Sequence, residues 1–588
     1  MPPAASQETV RLFVHWADGV TVALYFILIV IVGVWTARHV KTVHDFVMPR
    51  RFGKVFMVMF SFGTGTQAGD AVTTSAKTYS NGISGIWYQW LWLFCSPFYW
   101  LIAAFMRRLR ATTTADVFSA RYNGSVASLY AFVGLMFQTV NIGTTIKAAA
   151  AVVAASTGAW ISEGVAIALL TVLFLVYGLA GGLAAAIVTD FFQGILTIVF
   201  SFMLLPFLLA AVGGMSGLHQ AISDPAMFEL ISSKPGVEQI GFFYVLVLSI
   251  NALVGIVVYP HTMGNCGAGR TEMDGRVGFM GGLLLKRFCT IPWCLIGLCA
   301  LAYYALPGHE SQAAILGRNA DGIFGMVAQD FLPKVMPGLL GLFIAAALAS
   351  VQSSCDAFMV SASGLFTENI YRPLVRGKSA KHYVLVARLA AFFVVVGGLA
   401  FAYLTPSVVK AVEIFWKVGA MMGVALWLGL FWRRMTSAGA WASTLAAFGV
   451  WWLSTRAPIL EFLHGQSWNE AMGLVGMGTK GLEMSVPWQM LSYLTAGAVA
   501  GIVASLLTKP VSDAKLDYFY ALLRTPVQPG EKLGEPCTIP EGLKPTRRKL
   551  FPNSKNIEIH VPSVTSVVGF VIGWICVIAL ICAFKMIV

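Results

Sequence analysis

The stretch 55–82, "VFMVMFSFGTGTQAGDAVTTSAKTYSNG", opens as an apolar helix and then places Gly63, Gly65 and Gly69 among Thr64, Thr66, Gln67 and Asp70. Its setting decides what such a pattern means. The chain has 588 residues, 57% hydrophobic and 11% charged, with a mean hydropathy of +0.75. A soluble domain carries about 25% charged residues, so this chain belongs in a bilayer. The glycines then fall at mid-membrane depth, where they weaken a helix and let carbonyls turn away from their usual partners. Two readings stay open on these residues. Small side chains let neighbouring helices pack closely, or the helix unwinds against a cavity and its freed carbonyls suit a sodium ion.

A helix needs about 20 mostly apolar residues to cross the hydrocarbon core, and about fourteen runs meet that measure. They lie near 19–37, 56–77, 82–105, 125–156, 159–178, 182–211, 240–261, 276–304, 337–365, 383–403, 408–432, 436–454, 487–508 and 562–586. The formal net charge is +13, and its source is in the connections. Arg50, Arg51 and Lys54, then Arg107, Arg108, Arg110 and Arg121, then Arg372 and Arg376, and "TRRK" within 509–560 fall in alternate loops. That alternation marks cytoplasmic loops rather than a nucleic-acid groove, and it places both termini outside a cell membrane crossed many times. The start, "MPPAASQETVRLFVHWADG", has no basic segment joined to an apolar core and a cleavage site, so the first run is expected to be a retained span.

No polar stretch is long enough for a soluble catalytic domain, and no obligate protein partner is evident. The Pro-rich, basic connector 509–560 is expected to lie near anionic membrane lipid. The nine cysteines form no CxxC pair, which points to small buried hydrophobes rather than a metal centre or disulfides.

Ionisable residues inside apolar runs are costly and by default mark function. Here they are Asp70, Lys147, Asp190, Lys286, Asp356, Glu413 and Lys417, the last two spaced to satisfy each other on a helix. The run 337–365 also carries "ALASVQSSCDAF" (347–358), in which Ser350, Ser353 and Ser354 share one helix face. Their hydroxyls could complete an oxygen cage with carbonyls of the glycine-rich break, or each could return a hydrogen bond to the preceding turn.

Four separated stretches resemble the sodium:solute symporter family, whose members carry proline, glucose or pantothenate. They are "YGLAGGLAAAIVTDFFQG" (177–194), "SSCDAFMVSASGLFTENIYRP" (353–373), "GLFWRRMTSAGAWAS" (429–443) and, more loosely, "PHTMGNCGAGR" (260–270). The last departs from the family pattern, with Cys266 where an arginine is usual. The resemblance implies an all-α polytopic membrane protein with a LeuT-like core of two inverted five-helix repeats. That core would occupy 56–432, after an N-terminal span and first cytoplasmic loop in 1–55 and before accessory helices in 433–588.

It further implies a sodium site made by the carbonyls of Gly63 and Thr66, the carbonyl of Ser350 and the hydroxyls of Ser353 and Ser354, with Na+ as the coupling ion. Asp190 matches an acidic residue on the sodium release path. Lys286 falls where sugar-carrying members keep a sugar-contacting lysine, while Gln89 and Val412 replace that site's glutamate and glutamine. Candidates for the solute cavity are therefore Gln67, Asp70, Gln89, Asn251, Lys286 and Val412, with Lys147 or Lys286 available to counter Asp70. A small organic acid, an amino acid and a polyol all fit these residues.

The function implied is secondary active uptake of a small organic solute, coupled to inward sodium flux by alternating access. Proton coupling through Asp70 or Asp190 and a non-transporting, solute-sensing role are the alternatives. An enzyme is not expected, since Asp190 and Asp356 are a carboxylate pair without any accompanying catalytic motif.

Overall fold

The computed structural model describes residues 15–37, 48–232, 240–478, 481–528, 531 and 535–588, and the side chains at 33–34, 36–37, 173–182 and 185, several of them in the 177–194 signature, lie outside the description. The main helices are α1 (Trp16–Ala37), α2 (Lys54–Gly65), α3 (Ala68–Asn81), α4 (Ser96–Arg108), α5 (Gly124–Ser156) and α6 (Glu163–Phe202). They continue as α7 (Phe242–Ile256), α8 (Pro260–Gly267), α9 (Glu272–Tyr304), α10 (Leu339–Phe366), α11 (Ala380–Leu404) and α12 (Val408–Phe431). The chain ends with α13 (Ser437–Leu453), α14 (Val486–Leu507), the short α15 (Asp513–Arg524) and α16 (Val564–Ile587).

Polar residues at the ends of the apolar runs set these limits. Asn123 accepts from the Val126 amide at 3.0 Å to start α5, Thr271 and Asp274 cap each other's amides to start α9, and Ser563 caps α16. Among the described residues eight helices are long and apolar enough to cross a membrane, or nine if α7 and α8, bent by 70°, form one span. This is fewer than the fourteen expected runs because several are interrupted. The run 56–77 is divided between α2 and α3, and 82–105 contains a 3-10 turn (Gly82–Ile86) and a four-residue helix (Trp87–Trp90) before α4.

The runs 159–178 and 182–211 are both helical and fall within α6, which is followed by Leu205–Ala211; Leu169 and Phe200 would stand about 46 Å apart on one straight helix, so the chain turns back between the two runs. Leu169 and Leu170 share a cavity with Ile344 and Leu348 of α10, and Phe200 packs on Phe343 with ring centroids 5.1 Å apart. Both parts of α6 therefore reach the same end of α10. Asp190, between them, lies beside Gly63 and Ser353.

Close approach places the broken helix at the centre. A Cβ at Gly282 of α9 would stand 2.9 Å from Ser61 Cβ and nearer still to the backbone of α2, so only glycine lets these helices meet here. On the opposite side α2 meets α10. The three C-terminal runs expected from the sequence appear as α13, α14 and α16, of which α14 and α16 are long and apolar enough to cross a membrane. Among the described residues the strands form one hairpin, β1 (Val475–Gly478) with β2 (Gly481–Met484), ahead of α14.

The connector 509–560 is tied to the helical core. Arg110 pairs with Glu531 at 2.5 Å, and Arg433 pairs with Asp517 and Glu558, each at 2.8 Å. Its acidic residues thus dock it onto arginines of the helical core. Seven of the nine cysteines are buried and all are free.

Candidate functional site

Two residues interrupt the second expected span. Thr66 (φ −127°, ψ 116°) and Gln67 (φ −131°, ψ 159°) are extended, so helical hydrogen bonding stops between α2 and α3. The carbonyls at the break face α10, that of Gly63 while also accepting the Thr66 amide at 3.2 Å. Ser354 Oγ lies 3.1 Å from the Gly63 oxygen, 3.4 Å from that of Thr64, 3.5 Å from that of Thr66 and 3.3 Å from that of Ser350. One hydroxyl proton can serve only one of these four acceptors. The surplus of oxygens is the donor set of a hard cation.

All five residues implied by the resemblance are thereby brought together. The Ser350 hydroxyl is spent on the Ala347 carbonyl at 2.8 Å, which leaves its carbonyl to face the cluster. Ser353 Oγ is buried without a hydrogen-bond partner and stands against Gly63, where a side-chain Cβ would overlap it. Asp190 is fully buried with both carboxylate oxygens unpartnered, and its Cγ lies 3.5 Å from the position of a Cβ at Gly63. It thus adjoins the oxygen cluster. The backbone and side-chain oxygens present fit a sodium ion.

A cavity opens on the other face of the break, lined by Gln67, Asp70, Lys286 and Val412 as expected. Lys286 Nζ sits 2.8 Å from Asp70 Oδ2 and donates to the Gly65 carbonyl, while Asp70 Oδ2 also accepts the Gln67 amide at 2.8 Å. Lys147 does not join them. It pairs instead with Glu163 at 3.0 Å, because its place on α5 is near that helix's end. Glu413 likewise turns to the Tyr88 hydroxyl at 3.1 Å and Lys410 at 3.6 Å.

Two candidates fall outside the cavity lining. Gln89 offers its backbone carbonyl to Arg287 Nη1 at 2.7 Å, and its side-chain amide is buried without a hydrogen-bond partner. Asn251 donates to the Trp416 carbonyl at 3.0 Å and accepts from the Tyr493 hydroxyl of α14, so it joins helices. In their place the lining includes Asn141, Tyr259, His261, Asn265 and Arg287, none of which was expected. Tyr259, His261 and Asn265 come from the second break, between α7 and α8. Pro260 was its signal, since proline holds the preceding residue out of the α region, here Tyr259 at φ −63°, ψ 124°.

The profile of the sodium:solute symporter family matches residues 45–447. The chain belongs to that family. It is 24% identical over 522 residues to an osmoregulated proline transporter of Bacillus subtilis, covering 85% of this chain and 96% of that protein. It is 24% identical over 485 residues to the sodium/proline symporter of Escherichia coli, covering 78% of this chain and 93% of that one. A sodium/pantothenate symporter of Haemophilus influenzae is 24% identical over 442 residues, covering 69% of this chain and 86% of its own. A solved Na+-coupled sialic acid symporter superposes with a TM-score of 0.64 at 19% identity, covering 85% of this chain and 99% of that chain. The fold of this symporter is accordingly the LeuT-like one, in an integral membrane protein whose relatives are transporters.

Proposed function

We propose that this symporter drives uptake of a small organic solute with the inward sodium gradient, by alternating access around the α2/α3 break. The observation that carries the reading is the meeting of four carbonyl oxygens at Ser354 Oγ, beside the unpartnered Ser353 and Asp190. Sodium held there by Gly63, Thr66, Ser350, Ser353 and Ser354 ties the break to α10. That contact preorganises the cavity on the other face of the same two residues, Thr66 and Gln67. Coupling of this kind is reciprocal, so sodium tightens solute by the factor with which solute tightens sodium. Each sodium carried inward gains about 2.3 kcal/mol per 100 mV of membrane potential.

In this reading 56–432 is the transport core and 433–588 the accessory part, in a cell membrane with both termini outside. Asp190, next to the cluster, receives sodium as it leaves toward the cytoplasm. The test is thermal stability of the purified protein in sodium against matched potassium, with and without solutes. Stabilisation by a solute in sodium alone is the expected result, and indistinguishable curves in the two salts at every solute would remove the sodium site.

One observation favours proton coupling as a second reading: the carboxyl groups of Asp190, beside the Ser353 hydroxyl, and of Asp356 are both buried within the helical core. Uptake driven by a pH gradient in sodium-free medium would establish it.

A further inference from the structure

We propose that the central cavity is built for a solute with one net negative charge, carried by a carboxylate on an apolar body. The inference rests on the transport reading above and concerns what that reading leaves open, the chemistry of the solute.

Charge balance leads to it. Among the described residues that line the cavity, Asp70 is the one carboxylate, and it faces two cations, Lys286 and Arg287. Lys286 takes it directly at 2.8 Å. Arg287, 2% exposed, places Nη1 on the Gln89 carbonyl, which carries no charge to offset the guanidinium, and its Nε has no partner. The lining therefore has one positive charge in excess at a depth where an uncompensated charge is costly. A carboxylate supplies the missing charge. A zwitterion, neutral as a whole, leaves the excess in place, and a cation adds to it.

Hydrogen bonding leaves room for the same ligand. Asn141 is buried in the lining with neither side-chain amide atom partnered, so it offers a solute one donor group and one acceptor. Much of the remaining wall is aromatic, with Thr64, Gln67, His261 and Asn265 as its polar members. Trp92 meets Trp416 at 5.9 Å and Phe415 at 6.5 Å between ring centroids, and Val412 adds methyl groups that offer a polyol no hydrogen bond. The Arg287 guanidinium lies 5.6 Å from the centre of Trp92, so the cation and the flat surface are adjacent and would receive two ends of one small molecule.

The test uses the full-length protein in detergent and two matched sets of probes. One is 3-phenylpropionate, 3-phenylpropionamide, phenylalanine and 3-phenylpropylamine, and the other is butyrate, butyramide, 2-aminobutyrate and butylamine. In sodium, a carboxylate is expected to raise the thermal midpoint in at least one set. Its amide, amine and amino acid should need at least about tenfold higher concentration for the same shift. The proposal is overturned if an amide, amine or amino acid matches its carboxylate. It is also overturned if sodium alone stabilises and neither carboxylate adds to it. Failure of the sodium reading appears separately, as identical curves in sodium and potassium without solute, and a carboxylate shift seen in both salts would still uphold the present proposal. Arg287→Met should bring carboxylate and amide to equal effect. Should that variant not fold, the comparison on the unaltered protein decides alone.

Discussion

Lys286 Nζ lies 2.8 Å from Asp70 Oδ2 and donates to the Gly65 carbonyl, so one side chain of α9 joins the end of α2 to the first turn of α3. The arrangement suits the two half-helices. An ammonium meets the carbonyl end of α2, and a carboxylate meets the amide end of α3. Removing one partner strands the other charge in a buried site, at a cost of about 3–5 kcal/mol. Lys286→Met is therefore expected to lower the thermal midpoint by several degrees, and Asp70→Asn with Lys286→Met to recover part of the loss. A double variant no more stable than Lys286→Met would show that the two charges are not coupled.

Ser354→Ala tests the oxygen cluster. The variant removes one hydroxyl oxygen from the set and leaves the four carbonyls in place, so the sodium concentration giving half-maximal stabilisation should rise about tenfold or more. Stability in potassium should hardly change, because the lost hydrogen bond competes among several acceptors. Unchanged sodium dependence would remove Ser354 from the site. Gly63→Ala is a harsher test, since its methyl group would overlap Ser353 Oγ, and loss of the sodium response is expected.

These residues were legible in the sequence only in part. Glycines among hydroxyl and amide side chains inside an apolar run suit either a break or close packing, and serines three and four apart share a helix face; it was the family resemblance that joined them into one site. The facing of helices that are apolar on all sides was not legible. Periodicity does not fix the rotation of such a helix about its axis. Lys147 and Lys286 were equal candidates to meet Asp70 for that reason, and Arg287, adjacent to Lys286, was overlooked. Gln89 was chosen because it replaces a glutamate of sugar-carrying relatives and Asn251 as a polar residue in an apolar run, and neither is in the cavity lining. The second break escaped notice because Pro260 follows a full apolar run and looks like its end. Three C-terminal runs were plain from composition, but the docking of the connector depends on pairs such as Arg110 with Glu531, 421 residues apart.

That docking gives a pH dependence. Burial alone would raise the Glu531 carboxyl, but the hydrogen bond and charge of Arg110 outweigh it and hold it below the usual glutamate range. A lowered folded value means that the pair contributes fully above the unfolded value, about 4.3, and is lost as pH falls from there through the folded one. Limited proteolysis within 525–548 is expected to be slow at pH 6 to 7 and to accelerate below about pH 4. Glu531→Gln should show the faster cleavage already at neutral pH. Equal rates for the two proteins at pH 7 would mean that the connector is held without this pair.

Tyr493 tests whether the accessory helices support the cavity. Its hydroxyl, on α14, donates to Asn251 Oδ1 on α7, and Asn251 Nδ2 donates at 3.0 Å to the carbonyl of Trp416, whose ring lines the cavity. Tyr493→Phe leaves a buried amide oxygen without its donor, which costs about 1–3 kcal/mol. A strut and a solute contact respond differently to that change. For a strut, the thermal midpoint falls with and without solute by nearly the same amount, and the shift produced by a bound solute is retained. For a solute contact, the unliganded midpoint holds and the solute-induced shift shrinks. The geometry leads us to expect the first pattern, because Asn251 has both amide atoms engaged by protein groups and lies behind Trp416. Observation of the second would return Asn251 to the solute site and would assign α14 a direct part in shaping it.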